Sequence, residues 1–173
     1  MIDIGTIQLC APTVAPTTIV QIIKTESGGD PYALNVNGFG RIYPKGAEAA
    51  RVQAEAAIQG GYSVDIGLMQ INSQHLKRFR LSVRQAFDPC TNLRVGAALL
   101  KASYLDAVRI YGRGQVALQH ALSAYNTGDF DRGLDNGYVA QYYHPPVDKA
   151  RRRERLSTEA AKTLSASVAN SNR

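Results

Sequence analysis

Glu26 stands immediately before Ser27 and the pair Gly28-Gly29, at the end of a stretch in which Ile19, Ile22 and Ile23 recur at helical spacing. A carboxyl on that face, in the last helical turn, points toward apolar surroundings and toward the negative end of the helix dipole. Both influences disfavour the carboxylate, so the group holds its proton toward neutrality, which is what general acid catalysis requires. Three further strings follow in order along the chain: Gly67-Leu68-Met69-Gln70-Ile71-Asn72, Ala124-Tyr125-Asn126 and Gly137-Tyr138-Val139. Asp30, Asp65, Asp129 and Asp131 are the carboxylates available as a second acid-base group. His75, His120 and His144 have no metal-ligand spacing and no serine or cysteine nucleophile motif around them, so neither a metal nor a cofactor is expected.

The elements that must position these residues are mostly helical. The spacing predicts a helix over 16–27, capped by Thr17 or Thr18 and stopped by the two glycines. Asn35, Asn37, Gly38 and Gly40 between single apolar residues predict turns or a small hairpin within 30–44. An alanine-rich helix over 47–59 ends at Gly60-Gly61, and a compact loop over 62–72 follows, with Asn72 placed to cap a helix starting near Ser73. Asp88-Pro89 opens a long helix to about residue 111, its buried stripe being Leu93, Ala97, Leu100, Tyr104 and Val108. A helix over 115–126 buries Leu118, Leu122 and Tyr125, and a short one over 138–143 stops at His144-Pro145-Pro146. The expected fold is therefore mainly α, with a small hairpin and at most a small sheet.

Of 173 residues, 45% are hydrophobic and 20% charged, enough apolar material for one domain with a proper core. No apolar run approaches the roughly 18 residues a membrane-spanning helix needs. The first twenty residues show neither a basic start nor an uninterrupted apolar stretch, so no secretory signal is read in them. The net charge is +6, and four of those six charges fall in 144–173, where seven basic residues face three acidic ones. Arg151-Arg152-Arg153 in that polar segment reads as a solvated, partly disordered tail; without interleaved aromatics or a recognition helix, nucleic acid ranks lowest among partners. Cys10 and Cys90 lie eighty positions apart with no CxxC or CxxH spacing. A disulfide is the better reading of that pair, and two buried thiols the alternative.

Taken together and in this order, Glu26-Ser27 and the three strings resemble the lytic transglycosylases, over roughly 10–146. The resemblance implies a lysozyme-like α+β fold, a helical goose-lysozyme/transglycosylase domain over 8–147, followed by a basic tail over 148–173. It implies that Glu26 is the catalytic acid and base and that peptidoglycan glycan strands are the substrate. Ser27, Gly67, Met69, Gln70, Asn72, Tyr125, Asn126 and Tyr138 are then the substrate-binding set. In this setting Gln70 and Asn72 offer amides to sugar hydroxyls and acetamido groups, and Met69 forms a groove wall or core contact. Ser27 either ends its helix or meets the acid and the acetamido group, and Gly67 lets backbone approach a sugar. Tyr138 reaches the acid, with Tyr142 and Tyr143 competing for that place. The segment 35–61 between the Glu-Ser pair and the groove loop resembles the transglycosylases of type IV secretion and conjugation systems. The cysteine pair suits that secreted subgroup, which implies a Cys10–Cys90 disulfide, periplasmic or secreted localisation and secretion-system components as partners. Thr127-Gly128 departs from the Ala-Gly that many relatives carry after Ala-Tyr-Asn. A goose-type muramidase and a non-catalytic wall-binding module remain the alternatives.

Overall fold

The structure, a computed structural model, describes residues 2–143. The expected tail over 148–173, its arginine run and the His144-Pro145-Pro146 stop lie outside the described residues.

The chain begins with a helix not anticipated from the sequence, α1 (Ile4–Cys10), capped by the Asp3 side chain, which accepts from the Thr6 amide at 2.9 Å. Seven residues with only Ile7 and Cys10 buried give too little periodicity to read. Helix α2 (Pro16–Glu26) starts on Pro16 with Ala15 at the cap position and no side-chain cap, so neither Thr17 nor Thr18 serves. A proline at the first helical position lacks an N–H that would otherwise need a partner, which removes part of the demand for a cap. Ile19, Ile22 and Ile23 are buried as the pattern required.

Strands β1 (Leu34–Val36) and β2 (Gly40–Ile42) form the expected hairpin, and α3 (Ala47–Gln59) follows. The compact loop over 62–72 proves to carry two strands, β3 (Val64–Ile66) and β4 (Ile71–Asn72). Strands of two or three residues are too short to show alternation, and the hidden partner, β1, lies thirty residues upstream. All pairings are antiparallel, in the order β2-β1-β3-β4. The register places Arg41, Asn35, Asp65 and Asn72 in one row across the four strands, and Ile42, Leu34, Ile66 and Ile71 in the next. Because successive side chains alternate between faces, one sheet face is polar and the other buries its row against the core.

A 3-10 turn (Ser73–His75), with Asn72 accepting from the Gln74 amide as its cap, leads to α4 (Leu76–Phe79) and α5 (Val83–Phe87). The long α6 (Pro89–Tyr111) runs through the middle, capped by Asp88. It buries Leu93, Ala97 and Leu100 completely, with Tyr104 and Val108 partly buried against the same core. Helix α7 (Gln115–Thr127) buries Leu122 together with Ala117, Ala121 and Ser123, while Leu118 and Tyr125 pack at the core's edge. Two short helices, α8 (Arg132–Asp135) and α9 (Ala140–Tyr143), close the described chain; the last begins two residues later than expected because Tyr138 lies in a turn.

Two apolar clusters result. One surrounds α6 and includes Ile7, Ile19, Ile22, Leu68, Met69, Leu93 and Leu122; the other lies beneath the sheet, where Leu34, Val64 and Ile66 meet Ala50, Ala54 and Phe87. Cys10 and Cys90 are bonded, with Cα atoms 5.1 Å apart, tying α1 to the first turn of α6. A crosslink spanning eighty residues removes denatured-state entropy equivalent to about 4 kcal/mol on the chain-entropy model. Paired replacement of Cys10 and Cys90 by serine is expected to lower stability by about 2–4 kcal/mol in denaturant titration, without changing the helical content of the folded state.

Candidate active site

The polar sheet face, the end of α2 and the facing sides of α6 and α7 enclose a cleft of about 760 Å³. Glu26, Arg41, Asn35, Asp65, Gln70, Asn72, Tyr125 and Asn126 all line it. Glu26 is half-buried at the last position of α2 and accepts a short hydrogen bond from the Tyr138 hydroxyl. Tyr138 is itself buried and bonded to the Tyr142 hydroxyl. With the Tyr138 proton directed at Glu26, Tyr142 must donate to Tyr138, so two phenols line up behind one carboxyl.

Burial raises the Glu26 pKa above the ordinary carboxyl value, and the nearby Asp65 charge adds to that; the Tyr138 hydrogen bond and the Arg41 charge act in the opposite direction. Both tyrosines are pushed well up, chiefly by burial and then by the Glu26 charge, so they remain proton donors. Arg41 also donates to the Glu26 carbonyl, satisfying one acceptor at the exposed end of α2. Asp65 accepts from Asn35 at 3.0 Å and Asn72 at 2.7 Å, one bond to each carboxylate oxygen. Its neighbours in the sheet register thus hold its carboxyl fixed at the cleft.

The groove loop 67–70 is held from behind by a residue that the sequence reading passed over. Asn92, buried on α6, donates to the Ile66 and Ala86 carbonyls at 2.8 Å each and accepts from the Met69 amide at 2.8 Å. Its signal was present: a polar side chain one position before Leu93, on the buried side of a helix. A Cβ at Gly67 would fall 2.5 Å from the Asn92 amide nitrogen, and the glycine has φ 74°. Its conformation and its lack of a side chain serve that inward approach. Gly96 is needed likewise, since a Cβ there would meet the Met69 sulfur at 2.5 Å.

The expected binding residues divide by what their polar groups already do. Met69 is fully buried, and its contribution is a carbonyl that accepts from Tyr125 at 2.7 Å. Gln70 adopts φ 47°, lines the cleft and gives its amide N–H groups to the Ala33 and Gly67 carbonyls. Asn72 is engaged with Asp65 and Gln74. Ser27 is buried and spends its hydroxyl on the Ile23 carbonyl and the Gly29 amide, finishing the helix. Asn126 lies on the α7 wall. Of the rivals for the place beside Glu26, Tyr138 makes the bond and Tyr142 stands behind it.

Residues 6–142 match the family model described as the transglycosylase SLT domain. The chain belongs to that family. Its fold is accordingly the lysozyme-like α+β arrangement that the helices and small sheet describe. This transglycosylase domain is 40% identical over 146 residues to "Protein virB1" of Agrobacterium fabrum, covering 80% of the chain and 59% of that relative. It is 40% identical over 130 residues to "Type IV secretion system protein virB1" of Brucella suis, covering 73% and 54%. "Invasion protein IagB" of Salmonella typhimurium is 39% identical over 97 residues, covering 50% and 56%. The chain thus spans little more than half the length of these curated relatives. No solved structure gives a significant match.

The balance of influences on Glu26 can be measured. Carboxyl titration by NMR is expected to show its pKa rising further in Tyr138→Phe, where a bond to the charged form is lost, and falling in Asp65→Asn, where a like charge is removed. Because the folded-state value is raised, the stability tied to this group is full below the ordinary carboxyl pKa and lost as pH rises through the raised value. Glu26→Gln is therefore expected to melt above wild type at pH 7 and to lose that advantage near pH 4.

Proposed function

We propose that this domain is a peptidoglycan lytic transglycosylase in which Glu26 acts first as acid and then as base. The supporting observation is a protonatable carboxyl, held by a buried phenol pair, in a polar cleft of a transglycosylase-family fold. Glu26 gives its proton to the oxygen between N-acetylmuramic acid and N-acetylglucosamine as that bond breaks. The acetamido oxygen of the muramic residue bonds to the anomeric carbon as the leaving sugar departs. Glu26, now ionised, takes the proton of the C6 hydroxyl; the C6 oxygen closes on the anomeric carbon and releases the acetamido group. The product is 1,6-anhydro-N-acetylmuramic acid, the glutamate is returned protonated, and no water is consumed.

In this reading Tyr138 is a positioning residue that keeps one Glu26 oxygen oriented, leaving the other for the substrate. Gln70, Asn126 and Asn72 line the sugar path, while Ser27, Gly67 and Met69 act through the backbone they shape. The names of the relatives support a place beside a type IV secretion apparatus, where cleavage would open the wall locally in the periplasm or outside the cell.

Asp65 gives the hydrolytic alternative its one specific support, as a fixed carboxylate in the same cleft whose charge reaches Glu26. In hydrolysis, water would attack in place of the C6 hydroxyl and leave a reducing end about 18 mass units heavier. Mass spectrometry of digested sacculi is expected to show anhydro ends; reducing ends alone would assign the reaction to hydrolysis. Glu26→Gln is expected to lower turnover by about 10²-fold or more while the protein stays folded, because the amide keeps the shape and lacks the proton.

A further inference from the structure

Between Asp65 and Asp88 the sequence contains no acidic residue, yet it contains Lys77, Arg78, Arg80 and Arg84. All four are exposed on the corner made by α4 and α5. Among the described residues, none of the four forms an ion pair with a carboxylate. Glu48, whose charge Arg84 reaches, is already engaged by Arg51. A cationic run on a surface is ordinarily a solvated face. Two observations set this one apart. It is continuous with the cleft, because Gln74, His75 and Arg78 are among the residues that line the cavity. In addition, Arg80 occupies a left-handed position at the end of α4, with φ 54°, where the backbone favours glycine but the chain carries a cation.

A glycan strand leaving the cleft past Arg78 would bring its substituents over this corner. In peptidoglycan those substituents are peptides attached to the lactyl groups, and they carry free carboxylates at regular intervals. We propose that the α4–α5 corner docks these anionic stem peptides, so that the domain selects stem-bearing strands over stripped glycan; this rests on the transglycosylase reading. Lys77, Arg80 and Arg84 supply attraction outside the cleft, and Arg78 joins them to it. Exposed charges act here through their summed field more than through single geometries, so the preference must be salt-sensitive.

The test uses the full chain carrying Glu26→Gln, which leaves strands uncut, and measures binding to peptidoglycan strands before and after an amidase has removed their stems. The expected result is about tenfold tighter binding to stem-bearing strands at low salt, lost near 0.5 M salt. Adding Lys77→Gln, Arg80→Gln and Arg84→Gln together is expected to abolish the preference, and Lys77→Arg, Arg80→Lys and Arg84→Lys together to retain it. Equal affinity for the two strands, or a preference that survives the glutamine changes, would overturn the proposal. So would binding of the corner to phosphatidylglycerol vesicles with no preference for stems. Cleavage of intact, stem-bearing sacculi by the wild-type chain is read separately; its absence would refute the transglycosylase reading, while the binding comparison still judges the corner.

Discussion

Everything on the cleft side of the molecule depends on one buried amide. Asn92 sits inside the apolar seam of α6, and its side chain satisfies the Ile66 carbonyl, the Ala86 carbonyl and the Met69 amide at once. Leaving any of these unpaired in the core would cost about 1–3 kcal/mol, so the loop between β3 and β4 has essentially one place to lie. That placement sets where the Met69 carbonyl points, which holds Tyr125, and where Gln70 must turn to reach Ala33 and Gly67. Gly67 and Gly96 belong to the same constraint, as the two positions where a side chain would collide with the anchor or with the residue it anchors.

The sheet translates register into chemistry. With strands this short, each contributes a single side chain to the cleft row, and hydrogen bonds between neighbours in the row fix Asp65 between Asn35 and Asn72. The reverse face carries only apolar residues in the matching row. Shifting one strand by a single residue would exchange the two faces, so the polar wall and the hydrophobic floor stand or fall together. Asp65 and Glu26 thereby line one space, and burial is the largest influence raising the Glu26 pKa there.

The long helices were legible from the sequence because ten or more residues display a period: Leu93, Ala97 and Leu100 were readable, and the ends at Gly60 and Gly112 were written in glycine. What escaped was either too short for a period, as with α1, α5 and the two strands within 62–72, or fixed by partners far away in the chain. The caps show the same division. Asp88 and Asn72 were readable because the side chain acts locally, whereas Thr17 and Thr18 were misread because Pro16 already opens the helix. At the site, side-chain types and order were legible, but the use of their hydrogen bonds was not. Ser27, Gln70 and Asn72 look like free polar groups in sequence, and in the structure most of their capacity goes to the protein itself.

The bond between Tyr138 and Glu26 joins residues 112 positions apart, one in the second helix and the other near the end of the described chain. A chain emerging amino-terminus first presents Glu26 long before Tyr138, its hydrogen-bond partner, has been made. Only when the turn at residues 137–139 is in place does the carboxyl gain the phenol that holds it. A copy truncated after Asn126 therefore carries the groove residues up to that point without the phenol that positions the acid.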